Sequence, residues 1–490
     1  MKKKPSSFVC SPSPKRVFPN CRRRRNKSQT CAADYGLTGD RRLFTSSPTE
    51  KGDSQPGATR IRTHWRRLCS IIGERRAGGA GDQAAADYIL EQFRLAGLQN
   101  VHAEPFPCVS VAKAHAEIAI GTRQAMRRVP ARVLAGSPGT PGSGAVEGDL
   151  AWIEMPEQAD RLFQPSLRGK IAVLFGPMPT RADLHQRLVK CAPAAVIHVD
   201  DRLPFDWVKD DGVYPVWAAK YGMPPTVTIP YRAAWAFRMQ GADRARVRAV
   251  VRLRDTTSNN LVAELRGRRP DLPLVLLSAH HDTQCNNTGA DDNGSGVVAL
   301  LEVTELLKAL RPLRTIRLVS FGAEEQLSVG SARYVMAHRR EMSGIGVVFN
   351  LDSIASPLGH HWIFRAGTAR FGSWLTRSLA KRGLDVVEKT AAMPFADQFP
   401  FSVFGVPAVT FMRPNMDSGM RWQHHSAHDD LRNVSVEELA RVVEAVGATA
   451  SELARMEQWP FTGGLAPEQR AETARMGREL FGFENERLAS

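Results

Sequence analysis

The segment LVLLSAHHDTQCNNTGADDNGSGVVALLEVTELLKAL (274–310) decides the fold. Its opening run, LVLLSA (274–279), is apolar without alternation, the pattern of a strand buried on both faces. Its close, VVALLEVTELLKAL (297–310), has helical periodicity. Between them lie glycines and a concentration of ionisable residues: His280, His281 and Asp282 directly after the strand, Asp291 and Asp292 in the turn before the helix. In open α/β sheets, sites form beyond the carboxyl ends of strands.

The same alternation continues downstream. TIRLVSFG (315–322), GVVFNLD (346–352), HWIFRAG (361–367) and PAVTFMR (407–413) read as strands. FGSWLTRSLAKRG (371–383) and VEELARVVEAVGATASELARM (436–456) read as helices. Alternation of this kind predicts an α/β sandwich around a largely parallel sheet. Upstream, a helical region begins near Arg60. In QAAADYILEQFRLAG (83–97), Ala86, Ile89, Leu90 and Phe93 share one helical face, and Gly97 is placed to end the helix. VHAEPFP (101–107) follows as a strand.

Residues 109–255 break the pattern. Gly/Pro-rich turns (GSPGTPGSG, 136–144) and short β patterns at 170–176, 194–200 and 226–230 predict a separate, mainly-β insert. The α/β domain is then split into 59–108 and 256–460, with a C-terminal extension at 461–490. His185 and His198 stand alone in the insert and read as structural residues.

The chain has 490 residues, 43% of them hydrophobic and 24% charged, the balance of a globular protein. No stretch is long and apolar enough to predict a spanning helix. The formal net charge is +16. Much of it sits in an acid-free start that carries Lys2, Lys3, Lys4, Lys15, Arg16, Arg22 to Arg25 and Lys27. Residues 1–58 read as a disordered basic tail, and the body as near balance, so no nucleic-acid partner is expected. The start has no apolar h-region and does not read as a secretory signal, which leaves localisation open. Seven scattered cysteines without a C-x-x-C pair argue against a disulfide framework. Cys69, Cys108 and Cys191 read as buried apolar residues, and Cys285 as a bystander.

Ionisable residues recur at strand ends: Glu324 and Glu325 after 315–322, Asp352 ending 346–352, His424 and His425 after 407–413. Imidazole nitrogen and carboxylate oxygen are the usual non-thiolate ligands of zinc. Two histidines and three carboxylates serve two metals if one carboxylate bridges. Two close metals share a water, lower its pKa and polarise a carbonyl. A further carboxylate then moves the proton, and the pair Glu324–Glu325 is placed to divide these tasks.

At SAHHDT (278–283), GADDNGSGVVALLE (289–302), FGAEEQLSVGS (321–331), NLD (350–352) and HHSAHDD (424–430), the chain resembles the di-zinc aminopeptidase family. That family includes bacterial leucyl aminopeptidases and glutamate carboxypeptidases. The resemblance spans about 60–460 and implies a three-layer α/β sandwich of zinc-exopeptidase type; LRGKIAVLFG and APAAVIHVDD resemble a protease-associated domain. It implies two Zn2+ ions bridged by Asp291. One would also be held by His280 and Asp352, the other by Glu325 and His425. Asp282 would orient His280, and Glu324 would be the general base. The expected substrate is a peptide cleaved at its amino end. Where relatives often carry Tyr, His281 stands; where they often carry His, Gln398 stands in ADQFPF (396–401).

A carboxypeptidase or dipeptidase would use the same site but needs a cation for the terminal carboxylate, for which Arg413 is the candidate. A non-catalytic receptor would have lost ligands, yet all five and Glu324 are present. There is no G-x-S-x-G and no H-E-x-x-H, which disfavours a serine hydrolase and a helix-borne single-zinc site.

Overall fold

The computed structural model describes residues 57–154, 165–179, 181–201, 204–209, 212–416 and 419–483. The expected basic tail therefore lies outside the described residues except for its last two positions. The strands are β1 (Gln99–Gly121), β2 (Met126–Val129), β3 (Arg132–Val133), β4 (Val146–Glu154), β5 (Ile171–Phe175), β6 (Ala195–Val199), β7 (Thr226–Thr228), β8 (Arg244–Leu265), β9 (Leu274–His280), β10 (Ile316–Phe321), β11 (Ile345–Leu351), β12 (His361–Ala366), β13 (Val386–Lys389) and β14 (Ala408–Met412). The helices are α1 (Ala58–Trp65), α2 (Ala80–Leu95), α3 (Ala182–Lys190), α4 (Pro215–Tyr221), α5 (Tyr231–Met239), α6 (Gly294–Leu307), α7 (Val329–Ala337), α8 (Ala369–Ala380), α9 (Phe399–Val403), α10 (Val436–Arg455) and α11 (Pro467–Phe481).

The sheet runs β13-β12-β14-β11-β9-β10-β8-β4-β5-β6-β7-β3, with β1 paired to β8 and β2. Its centre, β14-β11-β9-β10, is parallel. Antiparallel pairs β12–β14 and β10–β8 flank that centre. Alternate residues of β9 leave to opposite sides. Val275, Leu277 and Ala279 pack with α6, α10, α8 and α2, among them Val298, Leu439, Leu375 and Phe93. Leu276 packs on the other face with Tyr334 and Val335 of α7 and Phe401 of α9. Burial on both faces is what the unbroken apolar run of β9 requires, each such side chain contributing about 1.5–3 kcal/mol. The architecture is the expected α/β one, a mixed sheet covered by helices on both sides.

Between 109 and 255, strands β4-β5-β6-β7 form a second parallel array with its own apolar cluster, including Ile171, Val173, Ile197 and Val227. Helices α3, α4 and α5 also lie here, beyond the mainly-β expectation. The physical reason is in the strands: β5 and β6 are apolar at nearly every position and must be covered on both faces. The expected boundaries at 108/109 and 255/256 fall inside β1 and β8. These two strands pair across them without a break, Cys108 opposite Thr256 and Val109 opposite Asp255. The C-terminal α11 reaches this region, where Trp217 Nε1 donates to the Glu479 carbonyl at 2.8 Å and Leu480 joins the cluster around Trp217 and Tyr214.

Candidate metal centre

The carboxyl ends of the parallel strands converge on one buried spot. His280 is the last residue of β9, and Glu324 and Glu325 form a short turn after β10. Asp352 follows β11, and the loop after β14 brings in His424 and His425. Asp291 and Asp292 lie in the turn that starts α6. Asn293 caps that helix, its side-chain oxygen accepting from Gly296 N at 2.8 Å. Gly296 is needed there, because a Cβ would sit 2.2 Å from the Leu351 carbonyl at the end of β11.

Two groups of possible ligand atoms emerge, each within 4.8 Å: His280 with Asp292 and Asp352, and Asp292 with His424 and His425. The residue common to both is Asp292. Its Oδ1 is 3.2 Å from His280 Nε2. Its Oδ2 is 3.3 Å from His424 Nε2 and 3.7 Å from His425 Nε2. Asp352 Oδ1 stands 3.8 Å from His280 Nε2, and Glu325 Oε2 stands 3.0 Å from His425 Nε2. Asp291, expected to bridge, belongs to neither group. Its Oδ1 accepts from Ala355 N at 2.9 Å and its Oδ2 from Gln423 Nε2 at 3.3 Å. Successive side chains in this turn point different ways, and the carboxylate between the histidines is that of the second aspartate.

The supports are equally specific. Asp282 Oδ1 lies 3.5 Å from His280 Nδ1, and its carboxylate accepts from Glu324 N at 2.9 Å and Glu325 N at 3.1 Å. Glu324 Oε2 is 3.7 Å from His280 Nε2, while Ser328 Oγ donates to Oε1 at 3.2 Å. Gln284 N donates to Glu325 Oε1 at 3.0 Å. His281 turns away: Nδ1 meets Ser320 Oγ at 3.0 Å and Nε2 faces Asp82 at 3.1 Å. Gln398 is buried, donates to the Met393 carbonyl and accepts from Thr410 Oγ1. Arg413 donates to the Ser356 carbonyl at 2.7 Å and pairs with Glu438 at 3.4 Å. Cys69, Cys108 and Cys191 are buried, and buried His185 bonds the Gly222 carbonyl at 2.8 Å.

Four contributors escaped the sequence reading. Asp429 accepts from the consecutive amides of Asp291 (2.7 Å) and Asp292 (3.0 Å). Arg421 donates to Asp292 Oδ2 at 3.0 Å. Asp397 is sealed from solvent, and burial pushes it up to about 7, with His280 opposing and Asp282 and Asp352 adding to the rise. Trp207, from the region expected as an insert, packs edge-on against His428 at 4.4 Å and Trp422 at 5.9 Å, on either side of His424 and His425. Asp429 lies in HHSAHDD and Asp397 in ADQFPF, with no role read for either; nothing local marked Arg421 or Trp207.

This is a dense set of buried carboxylates. Burial pushes Glu324 and Glu325 upward against the pull of His280 and His425, and pushes Asp291 up to about 6. The surrounding carboxylates outweigh burial at His280 and raise it well above the ordinary range. Both ring nitrogens of His280 are buried without a hydrogen bond among the described residues. Unbonded imidazole nitrogen facing an excess of carboxylate oxygen is the donor set of a zinc-type cation, so the residues present fit one.

Residues 260–450 match the family described as peptidase family M28. This stretch is similar to an M28 peptidase domain. Among similar proteins, carboxypeptidase Q from Bos taurus is 29% identical over 301 residues, 58% of this chain and 62% of that protein. Aminopeptidase YwaD from Bacillus subtilis is 28% identical over 219 residues, 42% of this chain and 47% of that protein. The alignments thus span less than two thirds of either relative. In three dimensions the chain resembles a zinc aminopeptidase from Bacillus subtilis, with a TM-score of 0.66 and 22% identity over 84% of this chain and 98% of that one. It also resembles a peptidase M28 precursor from Shewanella amazonensis, with a TM-score of 0.69 and 20% identity over 84% and 94%. These likenesses show the fold.

Proposed function

We propose that this chain is a metal-dependent exopeptidase, an aminopeptidase acting on the N-terminal peptide bond, with two zinc ions sharing the carboxylate of Asp292. The observation that carries the proposal is the pair of ligand groups with Asp292 in common. His280 and Asp352 would complete one position; His425 would complete the other, with His424 of the same group beside it and Glu325 joining through its 3.0 Å approach to His425 Nε2. This keeps the ligands inferred from the sequence and moves the bridge from Asp291 to its neighbour. When bound, such ions supply a water of lowered pKa and a Lewis acid for the peptide carbonyl.

The chain's own residues supply the rest. Glu324 presents Oε2 toward the site while Ser328 fixes Oε1. It would take the proton at Oε2 and deliver it to the leaving amine, and its buried position favours holding that proton. Asp282 ties His280 to the Glu324–Glu325 turn, so that ligand and base keep a fixed separation. Asp291 would hold the Asp292 turn against Ala355 and Gln423.

A carboxypeptidase reading shares the site and is favoured by the likeness to carboxypeptidase Q. The cation it expected, Arg413, is engaged with Glu438 and the Ser356 carbonyl, which supports the aminopeptidase reading instead. The test is hydrolysis of free and N-acetylated peptides by zinc-loaded protein, with Glu324→Gln as control. Release of the first residue from free peptides only, lost in Glu324→Gln, is expected. Cleavage of acetylated peptides at the carboxyl end would move the enzyme to the other branch, and no cleavage with zinc bound would refute the peptidase reading.

A further inference from the structure

Resting on the metal-centre reading above, we propose that Arg75 is a positioning residue for that centre: it closes the loop between His280 and Asp292 and fixes their separation before a cation binds. The loop, residues 281–293, joins the end of β9 to the start of α6 and holds no strand or helix, only turns and irregular chain. A proposed ligand stands at each end of it. Ordering such a loop costs conformational entropy, and unless the chain itself supplies the ties, that cost is subtracted from the affinity for the cation.

Arg75 lies before α2 and is sealed from solvent. Its Nε donates to the His281 carbonyl at 2.7 Å, one residue past His280. Its Nη1 donates to the Thr288 carbonyl at 2.7 Å and the Gly73 carbonyl at 3.1 Å, and its Nη2 to the Gly289 carbonyl at 3.0 Å. The Gly289 carbonyl also accepts from Gly294 N, the first residue of α6, at 2.8 Å. One guanidinium thus joins the residue after His280 to the bond that brackets Asp291, Asp292 and Asn293. The Arg75 backbone is held to the same loop, its N donating to Thr283 Oγ1 at 3.0 Å. Gly289 has φ +53°, and a Cβ there would stand 2.3 Å from the Asp292 carbonyl and 3.1 Å from Arg75 Nη2, so the close approach requires glycine.

Arg75 makes no ion pair among the described residues; its hydrogen bonds all go to main-chain carbonyls. A buried cation without a carboxylate is costly, and its carbonyl bonds are what offset that cost. The planar fork explains the choice of arginine: its donors point in fixed directions and reach three carbonyls of one loop at once, which a single ammonium does not reproduce. Arg75 touches none of the proposed ligand side chains. It acts on His280 and Asp292 through the main chain between them, so its loss should loosen their spacing while leaving every donor atom in place.

The test compares Arg75→Met with Arg314→Met in the full chain. Arg314 is a matched control: it is 4% exposed and donates to the carbonyls of Met456, Pro273 and Glu457 at 2.8, 2.9 and 2.6 Å, but at the opposite end of β9 from His280. Urea unfolding of the metal-stripped protein should show both variants destabilised. Zinc affinity, read by competition with a chromogenic chelator, should fall about 10–100-fold in Arg75→Met and stay within about threefold of wild type in Arg314→Met. Should Arg75→Met fail to fold, Arg75→Lys carries the test: it keeps the charge without the fork, and its zinc affinity should fall at least about threefold. Wild-type zinc affinity in folded Arg75→Met or in Arg75→Lys, or an equal loss in Arg314→Met, would overturn the proposal and leave Arg75 a purely structural residue. Failure of the wild-type chain itself to bind zinc would overturn the metal-centre reading, and this inference with it.

Discussion

Replacing Asp429 by Asn should be costly although no ligand is touched. Asp429 is 1% exposed, and its two carboxylate oxygens accept from two successive amides, Asp291 N at 2.7 Å and Asp292 N at 3.0 Å. Asparagine keeps one acceptor and turns an NH2 group toward the other amide. A buried amide left without an acceptor costs about 1–3 kcal/mol. Alanine would strand both amides, about 2–6 kcal/mol, which is comparable with the whole stability of an ordinary domain, about 5–15 kcal/mol. The same bonds aim the Asp292 carboxylate, so zinc affinity should fall by about 10–100-fold in Asp429→Asn. The control is next door: Asp430 pairs with Arg432, which is 81% exposed, and Asp430→Asn should cost less than about 1 kcal/mol. Urea unfolding of the metal-stripped chain measures the first quantity, and chelator competition the second. An Asp429→Asn variant within about 0.5 kcal/mol of wild type, with unchanged zinc affinity, would refute the reasoning.

Three further outcomes are expected. Elemental analysis should find that Asp292→Asn loses most of its zinc while Asp291→Asn retains its stoichiometry; the reverse would restore Asp291 as the bridge. His64 and His361 are held down to about 4, chiefly by burial, with Arg60 and Arg413 adding to the effect. A folded value below the unfolded one of about 6.5 means stability that is present above that pH and lost as pH falls through about 4, up to about 3 kcal/mol for each histidine. His64→Gln should flatten the acid limb of the stability profile, and a limb parallel to wild type would contradict this. Trp207→Ala removes two edge-on aromatic contacts, about 0.5–1.5 kcal/mol each, and should lower kcat/KM about tenfold, with Trp207→Phe retaining most of it; equal loss in both variants would argue against aromatic packing as the cause.

What the sequence made legible was whatever a long apolar run or a strand end could carry. β9, β10, β11 and β14 were readable because burial on both faces leaves little but Val, Leu, Ile, Phe and Ala. His280, Glu325 and Asp352 followed, because each lies at or just beyond the end of such a strand. Asp292 was not separable from Asp291, since two adjacent aspartates differ only in the direction the turn gives their side chains. Arg421, Asp397 and Trp207 reach the centre through tertiary packing and carry no local periodic signal. The full length of β8 was hidden because its middle, RDTTSNN (254–260), is largely polar and holds its place through pairing with β1 and buried hydrogen bonds of Ser258 and Asn260 rather than through an apolar face. α11 was missed for a related reason: its face is sparse in large apolar residues, and few positions, among them Leu480, are buried.

The β1–β8 ribbon has a consequence for how such a chain can be assembled and taken apart. The residues between its two arms leave and return at adjacent points, Gly121 lying opposite Arg244. A whole second array of strands and helices therefore hangs from the tip of what would otherwise be a plain hairpin. Connectivity lower down is indifferent to what the tip carries, so the appendage can be lengthened, exchanged or trimmed to a tight turn without rethreading the strands that hold His280. Through Trp207 the appendage nevertheless touches the His425 loop, so a graft that keeps the stem intact would still retune the chemistry beneath it.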